Sequence, residues 1–331
     1  MDPDWQPALA RLSEQIRGCY LDPEKGRRVA EHLDRLVAQG AYRGIGDEPA
    51  LAVAVTEDLQ SVLPDPHLYL AHTPVLLPDT ADDVLPSPPV DPDAVRRDGN
   101  GVTAVRRLPG NVGLLALHRF HDVDLIGDVV SCAASLVADT DALLIDVREN
   151  TGGEPETVAL LCSYLFDVPT QLNSVVFPGE GRTLEFWSSA AVPGRRYGSR
   201  KPVWLLTSRK TFSAAEGLAY DLAERERAVL VGETTRGGAN FHFPRKVTDH
   251  LMSAVPSGQP VNPVSGDNWE GTGVAPHVSV PVEAAFGEAY RRALLHVTQQ
   301  SEIPTRVRDE AAAALSQRDA ALVEQVDGQG G

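Results

Sequence analysis

The second half of the chain alternates apolar runs with helical segments, and this alternation limits the fold more than any other feature. Three runs rich in β-forming residues lie at 141–150 (DALLIDVREN), 202–208 (PVWLLTS) and 227–235 (RAVLVGETT). Segments with the periodicity of helices separate them. Such near-continuous apolar runs are typical of parallel strands that are covered on both faces. Right-handed crossovers between them then predict an α/β fold with a parallel sheet.

Local composition and periodicity divide the chain into four regions. Residues 5–80 contain three helical patterns, and we expect an N-terminal helical bundle over 1–75. A segment dense in Pro and Asp predicts a linker or an extended wrap over 76–100. The α/β core is expected over 101–295, with a β-ribbon within 244–282, and a C-terminal helix and a Gly-rich tail over 296–331.

Charge and composition exclude several classes of function. A net charge of −16 leaves no basic stripe for nucleic acid and disfavours anionic membranes, so a cationic or neutral partner is favoured. The three cysteines, Cys19, Cys132 and Cys162, have neither disulfide nor zinc spacing, and no pattern indicates a metal or another cofactor. The start of the chain lacks the pattern of a signal peptide, and no run reaches the ~18 apolar residues of a membrane span. We therefore expect a cytoplasmic protein.

The stretch TFSAAEG, residues 211–217, lies between the strand pattern at 202–208 and a helical pattern. Ser213 followed three positions later by Glu216 is the pattern of a capping box, and a serine before a helix is more often such a cap. A serine at a sharp strand-to-helix exit is also a position where hydrolases carry a nucleophile. The local pattern favours the cap, and a catalytic role requires a base and an oxyanion site nearby.

Two other segments supply candidates for those parts. Gly152 and Gly153 follow the strand pattern at 141–150, so their N–H groups are expected at the same sheet edge as Ser213, where α/β proteins form their sites. A plain tight turn is the alternative for this pair. Among nine histidines, His67 stands in a proline-flanked turn, VLPDPHLYL, with Asp65 nearby. The pattern alone does not select one carboxylate as its partner.

Taken together, these stretches resemble the tail-specific, or C-terminal-processing, serine protease family. The resemblance is greatest to the branch that contains the tricorn core protease and the bacterial relatives of interphotoreceptor retinoid-binding protein. It covers roughly residues 5–290, and the matching segments follow the family order. They are EDLQSVLPDPHLYL, GNVGLLAL, ALLIDVRENTGGEP, VWLLTSRKTFSAAEGLAYDL, VLVGETTRGGAN and PVNPVSGDNWEGTGVAPHVSV.

The resemblance implies a crotonase-like α/β core after the helical bundle, and a Ser–His–Glu triad. The triad positions correspond to Ser213, His67 and Glu270. The oxyanion hole is assigned to the N–H of Ala214 and of one of the two glycines, Gly152 or Gly153. The other branch of the family uses a serine and a lysine, and Gly238 occupies that lysine position here, which favours the triad.

Two departures from the family pattern concern single positions. His277 stands where relatives carry an aspartate, so an aspartate that is either a surface residue or a loop-fixing one is lost here. Asn240 stands where relatives often carry a histidine, and we expect it to alter the local ribbon without contacting the triad.

The resemblance implies a serine peptidase that acts through an acyl-enzyme. The alternatives are another acyl-transfer enzyme, such as an esterase, lactonase or peptide cyclase, and a non-catalytic relative that binds an apolar ligand. The expected partner is a peptide or a small acyl substrate, and assembly into a homo-oligomer is left open.

Overall fold

The computed structural model describes residues 3–80, 83–85 and 91–327. The helices are α1 Gln6–Cys19, α2 Pro23–Gln39, α3 Glu48–Val62, α4 Pro92–Arg97, α5 Val123–Val137, α6 Pro155–Ser163, α7 Ala214–Glu224, α8 Val282–Gln299 and α9 Thr305–Asp327. The strands are β1 Tyr69–His72, β2 Val102–Leu108, β3 Val112–Leu117, β4 Ala142–Asp146, β5 Gln171–Phe177, β6 Arg182–Trp187, β7 Val203–Thr207, β8 Val229–Gly232, β9 Phe241–Lys246, β10 Leu251–Val261 and β11 Val278–Ser279.

The central sheet has six strands in the order β11-β8-β7-β4-β3-β2. All neighbouring pairs are parallel except β2–β3 at one edge. Helices α5, α6 and α7 contribute to the apolar core on one face, and α8 and α9 to the core on the other. The predicted α/β fold with a parallel sheet is therefore confirmed. Strands β4 and β7 end at the same edge of this sheet, and the candidate site residues Gly152, Gly153 and Ser213 follow them in the chain.

The N-terminal helices share their core with a strand from the far end of the chain. Asp22 and Asp47 cap α2 and α3 by accepting backbone N–H groups, and each helix has proline in its first turn. The apolar faces of α1–α3 pack around residues that include Leu251 and Val255 of β10. The helical bundle is present, but it is built onto β10.

A second sheet joins this N-terminal unit to the core. Strand β10 pairs with β1, β5 and β9, and β6 extends the sheet beyond β5. The predicted ribbon is present as the β9–β10 pair. Residues 69–72 lie within the region 1–75 that was expected as a helical bundle, and they form β1 by antiparallel pairing with β10.

The predicted linker and the predicted C-terminal boundary agree with the structure only in part. Of the predicted linker 76–100, residues 92–97 form the short helix α4, whereas 81–82 and 86–90 lie outside the described residues. Helix α8 crosses the predicted boundary at 295, and the Gly-rich end, 328–331, lies outside the described residues. None of the helices in the described ranges combines the length and apolarity that a membrane crossing requires.

Candidate active site

Ser213 occupies the sharp turn between β7 and α7. Its backbone has φ +55° and ψ −123°, a conformation that non-glycine residues adopt only under strain. Such strain persists where the surrounding structure holds it, and it is concentrated at functional sites. A strained serine between a strand and a helix matches the geometry that displays a nucleophile.

The carboxylate of Glu216 holds this strained turn. One oxygen, Oε2, accepts the N–H of Ser213 at 2.9 Å and that of Gly238 at 2.9 Å. The other, Oε1, accepts the N–H of Gly237 at 2.6 Å and the hydroxyl of Thr235 at 2.5 Å. Burial raises the pKa of Glu216, whereas these four hydrogen bonds favour its ionised form. Glu216 therefore makes its half of the predicted capping box, and it also ties the turn to the loop at 235–238.

The hydroxyl of Ser213 faces His67. Oγ of Ser213 lies 3.3 Å from Nε2 of His67, which stands in the turn between α3 and β1. The ring of His67 stacks on Phe212, with centroids 4.8 Å apart, and the residue is 6% exposed. Burial and, to a lesser extent, the Arg236 guanidinium lower the pKa of His67 to about 4. His67 is therefore neutral at neutral pH and able to accept a proton.

Gly238 leaves the space that His67 and Phe212 occupy. A Cβ at this position would lie 2.2 Å from Cε2 of Phe212 and 3.0 Å from Cε1 of His67. No side chain fits there without displacing one of the two rings. The position at which the lysine of the other branch is expected is therefore closed by the stacked pair.

Glu270 lies beside His67 but is held by backbone groups. Its Oε2 accepts the N–H of Ala239 at 2.6 Å and that of Asn240 at 2.9 Å. A ring nitrogen of His67 and one carboxylate oxygen each of Glu270 and Asp65 lie within 4.8 Å of one another. Nδ1 of His67 is buried and has no hydrogen-bond partner among the described residues. Burial and the neighbouring Asp65 raise the pKa of Glu270.

Asp65 and Asn240 belong to the same network. Oδ1 of Asp65 accepts the N–H of His67 at 2.9 Å, and its Oδ2 accepts the hydroxyl of Tyr20 and the side-chain amide of Asn240, each at 2.9 Å. The expectation that Asn240 does not contact the triad positions was wrong, because its backbone N–H binds Glu270. The spacing Asp-Pro-His was a signal for Asp65, since an Asp side chain often bonds the N–H two residues on. No local signal identified Asn240.

Asp65, His67 and Glu270 are also the one group of three metal-binding side chains found among the described residues. Both oxygens of Asp65 and Oε2 of Glu270 already accept hydrogen bonds. This arrangement suits the holding of an imidazole, and the donor set gives no separate reason for a metal.

The two glycines differ in what their N–H groups do. The N–H of Gly152 donates to Oδ1 of Asn150 at 2.8 Å. The N–H groups of Gly153 and Ala214 have no acceptor among the described residues. Gly152 lies against the turn, since a Cβ there would be 2.8 Å from Cβ of Ser213. Gly153 and Ala214, whose N–H groups have no acceptor among the described residues, line the same cavity as Ser213.

A cavity of about 80 Å³ opens beside these groups, and Gly153, Ser213 and Ala214 form part of its lining. Its walls are mostly apolar, and they include Leu172, Val175, Phe186, Phe241, Pro260 and Trp269.

Comparison with known proteins is consistent with this geometry. The profile described as "Peptidase family S41" matches residues 111–280, which is more than half of the chain. The chain belongs to peptidase family S41. It is a serine-type peptidase by family, and the profile of the N-terminal domain of Peptidase_S41 in eukaryotic IRBP matches residues 5–97 of this S41 peptidase.

Solved structures with the same fold include two proteases and a lipoprotein. The photosystem II D1 C-terminal processing protease has 16% identity and a TM-score of 0.53, with 85% of this chain and 94% of that chain covered. A lipoprotein from Streptococcus agalactiae has 15% identity and a TM-score of 0.59, with 89% and 98% covered. The tricorn protease has 13% identity and a TM-score of 0.53, with 93% of this chain but 36% of that chain covered. At identities of 13–16%, these similarities show that the fold is shared and nothing more.

His277 makes a contact of its own at the position where the family pattern has an aspartate. Nδ1 of His277 accepts the N–H of Leu230 at 3.0 Å and so fixes the loop against β8.

Proposed function

We propose that this S41 peptidase hydrolyses peptide bonds through Ser213, His67 and Glu270 and an acyl-enzyme intermediate. The observation that carries the proposal is the distance of 3.3 Å between Oγ of Ser213 and Nε2 of His67, beside two unpaired N–H groups. A hydroxyl is a poor nucleophile unless a neighbouring base accepts its proton. Neutral His67 is such a base.

In the first half of the reaction, Oγ of Ser213 attacks the carbonyl carbon while Nε2 of His67 accepts the hydroxyl proton. The N–H groups of Ala214 and Gly153 stabilise the oxyanion. Gly153 is preferred to Gly152 because the N–H of Gly152 is already bound to Asn150. His67 then returns the proton to the leaving amine, and the acyl group stays on Ser213. Losing one such oxyanion donor typically costs about 3 kcal/mol of transition-state stabilisation.

In the second half, His67 accepts a proton from water, which attacks the acyl-enzyme and releases the acid. For Nε2 to accept a proton in each half, neutral His67 carries its own proton on Nδ1, and this Nδ1–H requires an acceptor, most of all when the ring becomes an imidazolium. Nδ1 of His67 has none in the resting site, and the carboxylate of Glu270 is close enough to supply one after a small movement. The negative charge of Glu270 stabilises the imidazolium, as the carboxylate does in other serine triads.

Labelling with a fluorophosphonate probe tests the proposal. We expect mass spectrometry to find the adduct on Ser213, and Ser213→Ala to lose both labelling and peptide hydrolysis. Ser301→Ala, which changes an exposed serine, is the matched control and should keep both. Unlabelled, folded protein whose turnover survives in Ser213→Ala would refute the mechanism.

Product analysis separates the alternatives. Incubation with peptide and ester libraries distinguishes hydrolysis of peptides from lactone, ester or cyclisation chemistry, which share the acyl-enzyme. Ligand binding without any turnover would favour the non-catalytic relative. A crotonase-like core, a cytoplasmic location and a homo-oligomer stay predictions from the sequence.

A further inference from the structure

The cavity beside Ser213 has one ionisable group in its lining that the mechanism does not use. Asp221 lies on α7, two turns after the nucleophile, and is fully buried. Its Oδ2 accepts the side-chain amide of Asn173 at 2.8 Å, and its Oδ1 accepts that of Asn262 at 3.1 Å. A buried carboxylate in apolar walls is costly, so its presence requires a physical reason.

Asp221 fixes the orientation of Asn173, which also lines the cavity. One N–H of the Asn173 amide donates to the carboxylate, so its Oδ1 points away from Asp221. No described group donates to this oxygen, and it is not among the buried unpaired atoms, so it is accessible. Asn173 thus has an accessible acceptor that no described group uses.

Two other polar side chains of the lining also make hydrogen bonds. Nε1 of Trp269 donates to the carbonyl of Gly238 at 3.0 Å, and one N–H of the Asn240 amide donates to Asp65. Asn173 and Asn240 each keep a side-chain oxygen that accepts no bond from a described group, and the buried carboxylate of Asp221 lies next to Asn173. A cavity with apolar walls, two accessible amide oxygens and a buried carboxylate matches an apolar stem that ends in a donor.

Charge favours a cation as the group that enters the cavity. The cationic residue nearest in sequence to Asp221, Arg225, binds the carbonyl of Gln171, and its charge lowers the pKa of Asp221 less than burial raises it. The thiol of Cys162 lies close to Asp221 and carries no charge. Burial raises the pKa of Asp221 to about 7, and a bound cation would favour its ionised form. The net charge of −16 also attracts cationic substrates over a distance.

We propose that this cavity receives an ammonium-bearing side chain, that of lysine, on the acyl side of the scissile bond, with Asp221 as the specificity-determining residue. The inference rests on the proposed function and names its substrate class. The cavity shares Ser213, Ala214 and Gly153 with the nucleophile and the free donors, so the substituent next to the attacked carbon enters it. The lysine stem would contact the apolar walls, and its ammonium would meet Oδ1 of Asn173, with Asp221 behind it.

Matched substrates test the inference. We use two peptidyl-aminomethylcoumarins that differ only in the residue before the scissile bond, which is lysine in one and norleucine in the other. The two side chains share an apolar stem, and only lysine carries an ammonium. We expect kcat/KM for lysine to exceed that for norleucine by about tenfold or more, because burying an unpaired acceptor is unfavourable. Asp221→Asn should abolish this ratio, whereas Glu224→Gln, the same charge change on the same helix outside the cavity lining, should leave it unchanged.

The outcomes distinguish this inference from the proposed function. A wild-type enzyme that is labelled at Ser213 but cleaves the norleucine substrate as well as or better than the lysine substrate overturns the inference alone. Absence of both labelling and cleavage overturns the proposed function, and the inference with it. The wild-type ratio requires no variant, so a folding defect of Asp221→Asn leaves the test intact.

A binding measurement gives a second readout that does not need turnover. In Ser213→Ala, saturation-transfer NMR should detect n-butylammonium in the cavity and a weaker signal from 1-butanol, its uncharged counterpart. Asp221→Asn in the same background should remove the difference. Equal binding of the two probes to Ser213→Ala counts against the inference.

Discussion

Oγ of Ser213 lies 3.3 Å from Nε2 of His67, although 146 positions separate the two residues in the chain. Ser213 follows a strand of the central sheet, whereas His67 precedes β1, which pairs with β10 of the second sheet. The distance between the proposed base and the proposed nucleophile therefore depends on how the second sheet and the N-terminal helices are fixed to the core. Asn240 contributes to this by binding both Asp65 and Glu270.

The acid limb of the pH profile should lie well below the ordinary range of histidine. Burial and Arg236 lower the pKa of His67 to about 4, and only neutral His67 accepts the proton of Ser213. We expect kcat/KM to fall as the pH drops through about 4. Arg236→Gln removes one cause of the lowered pKa and should move the fall to higher pH, whereas Arg28→Gln, an exposed arginine of α2, should not. A wild-type fall centred near ~6.5 would contradict this prediction.

Glu270→Gln should reduce kcat by roughly 10²- to 10⁴-fold with little change in KM. The amide is nearly isosteric and keeps an oxygen for the N–H groups of Ala239 and Asn240, but it loses the charge that stabilises protonated His67. Steady-state kinetics measure the effect, and Glu302→Gln at an exposed position is the control. An unchanged kcat in Glu270→Gln together with a large loss in Asp65→Asn would assign the carboxylate role to Asp65.

Glu216→Gln should lower both stability and the rate of labelling at Ser213. The two oxygens of Glu216 accept four donors, and an amide NH₂ would oppose two of them inside the protein. We expect a loss of roughly 2–3 kcal/mol in the free energy of unfolding, measured by urea denaturation. Glu14→Gln, on the exposed side of α1, should change neither property. Stability and labelling equal to wild type would show that the strained turn does not depend on this carboxylate.

Gly238→Ala should reduce turnover by displacing the His67–Phe212 pair. The added Cβ would lie 2.2 Å from Phe212, far inside the contact distance. Gly18→Ala is the matched control, because a Cβ at that helical position meets no atom within 4 Å. We expect the circular dichroism spectrum of Gly238→Ala to be unchanged from wild type and its kcat to be strongly reduced. Full activity of Gly238→Ala would mean that the stacked arrangement is not required.

The sequence determined the elements and the identities of the candidate residues. The apolar runs at 141–150 and 202–208 contain β4 and β7, because buried parallel strands require apolar residues on both faces. Ser213 was found at a strand-to-helix junction and Glu216 at its capping distance, since both signals are local. Other relationships were not local: the strand β1 was not predicted within the region assigned to the helical bundle, and the choice between Gly152 and Gly153 was left open.

Tertiary structure decided which groups are free to act. The commitment of Gly152 N–H to Asn150, of Asn173 to Asp221 and of Asn240 to Asp65 depends on atoms that are distant in sequence and meet only after the sheets pack. Packing also directed the hydroxyl of Ser213 toward His67, while Glu216 kept its role at the start of the helix. The sequence by itself determined that a serine would stand at the end of β7. Only the folded chain determined what that serine faces, because hydrogen-bond partners and burial are properties of contacts between segments.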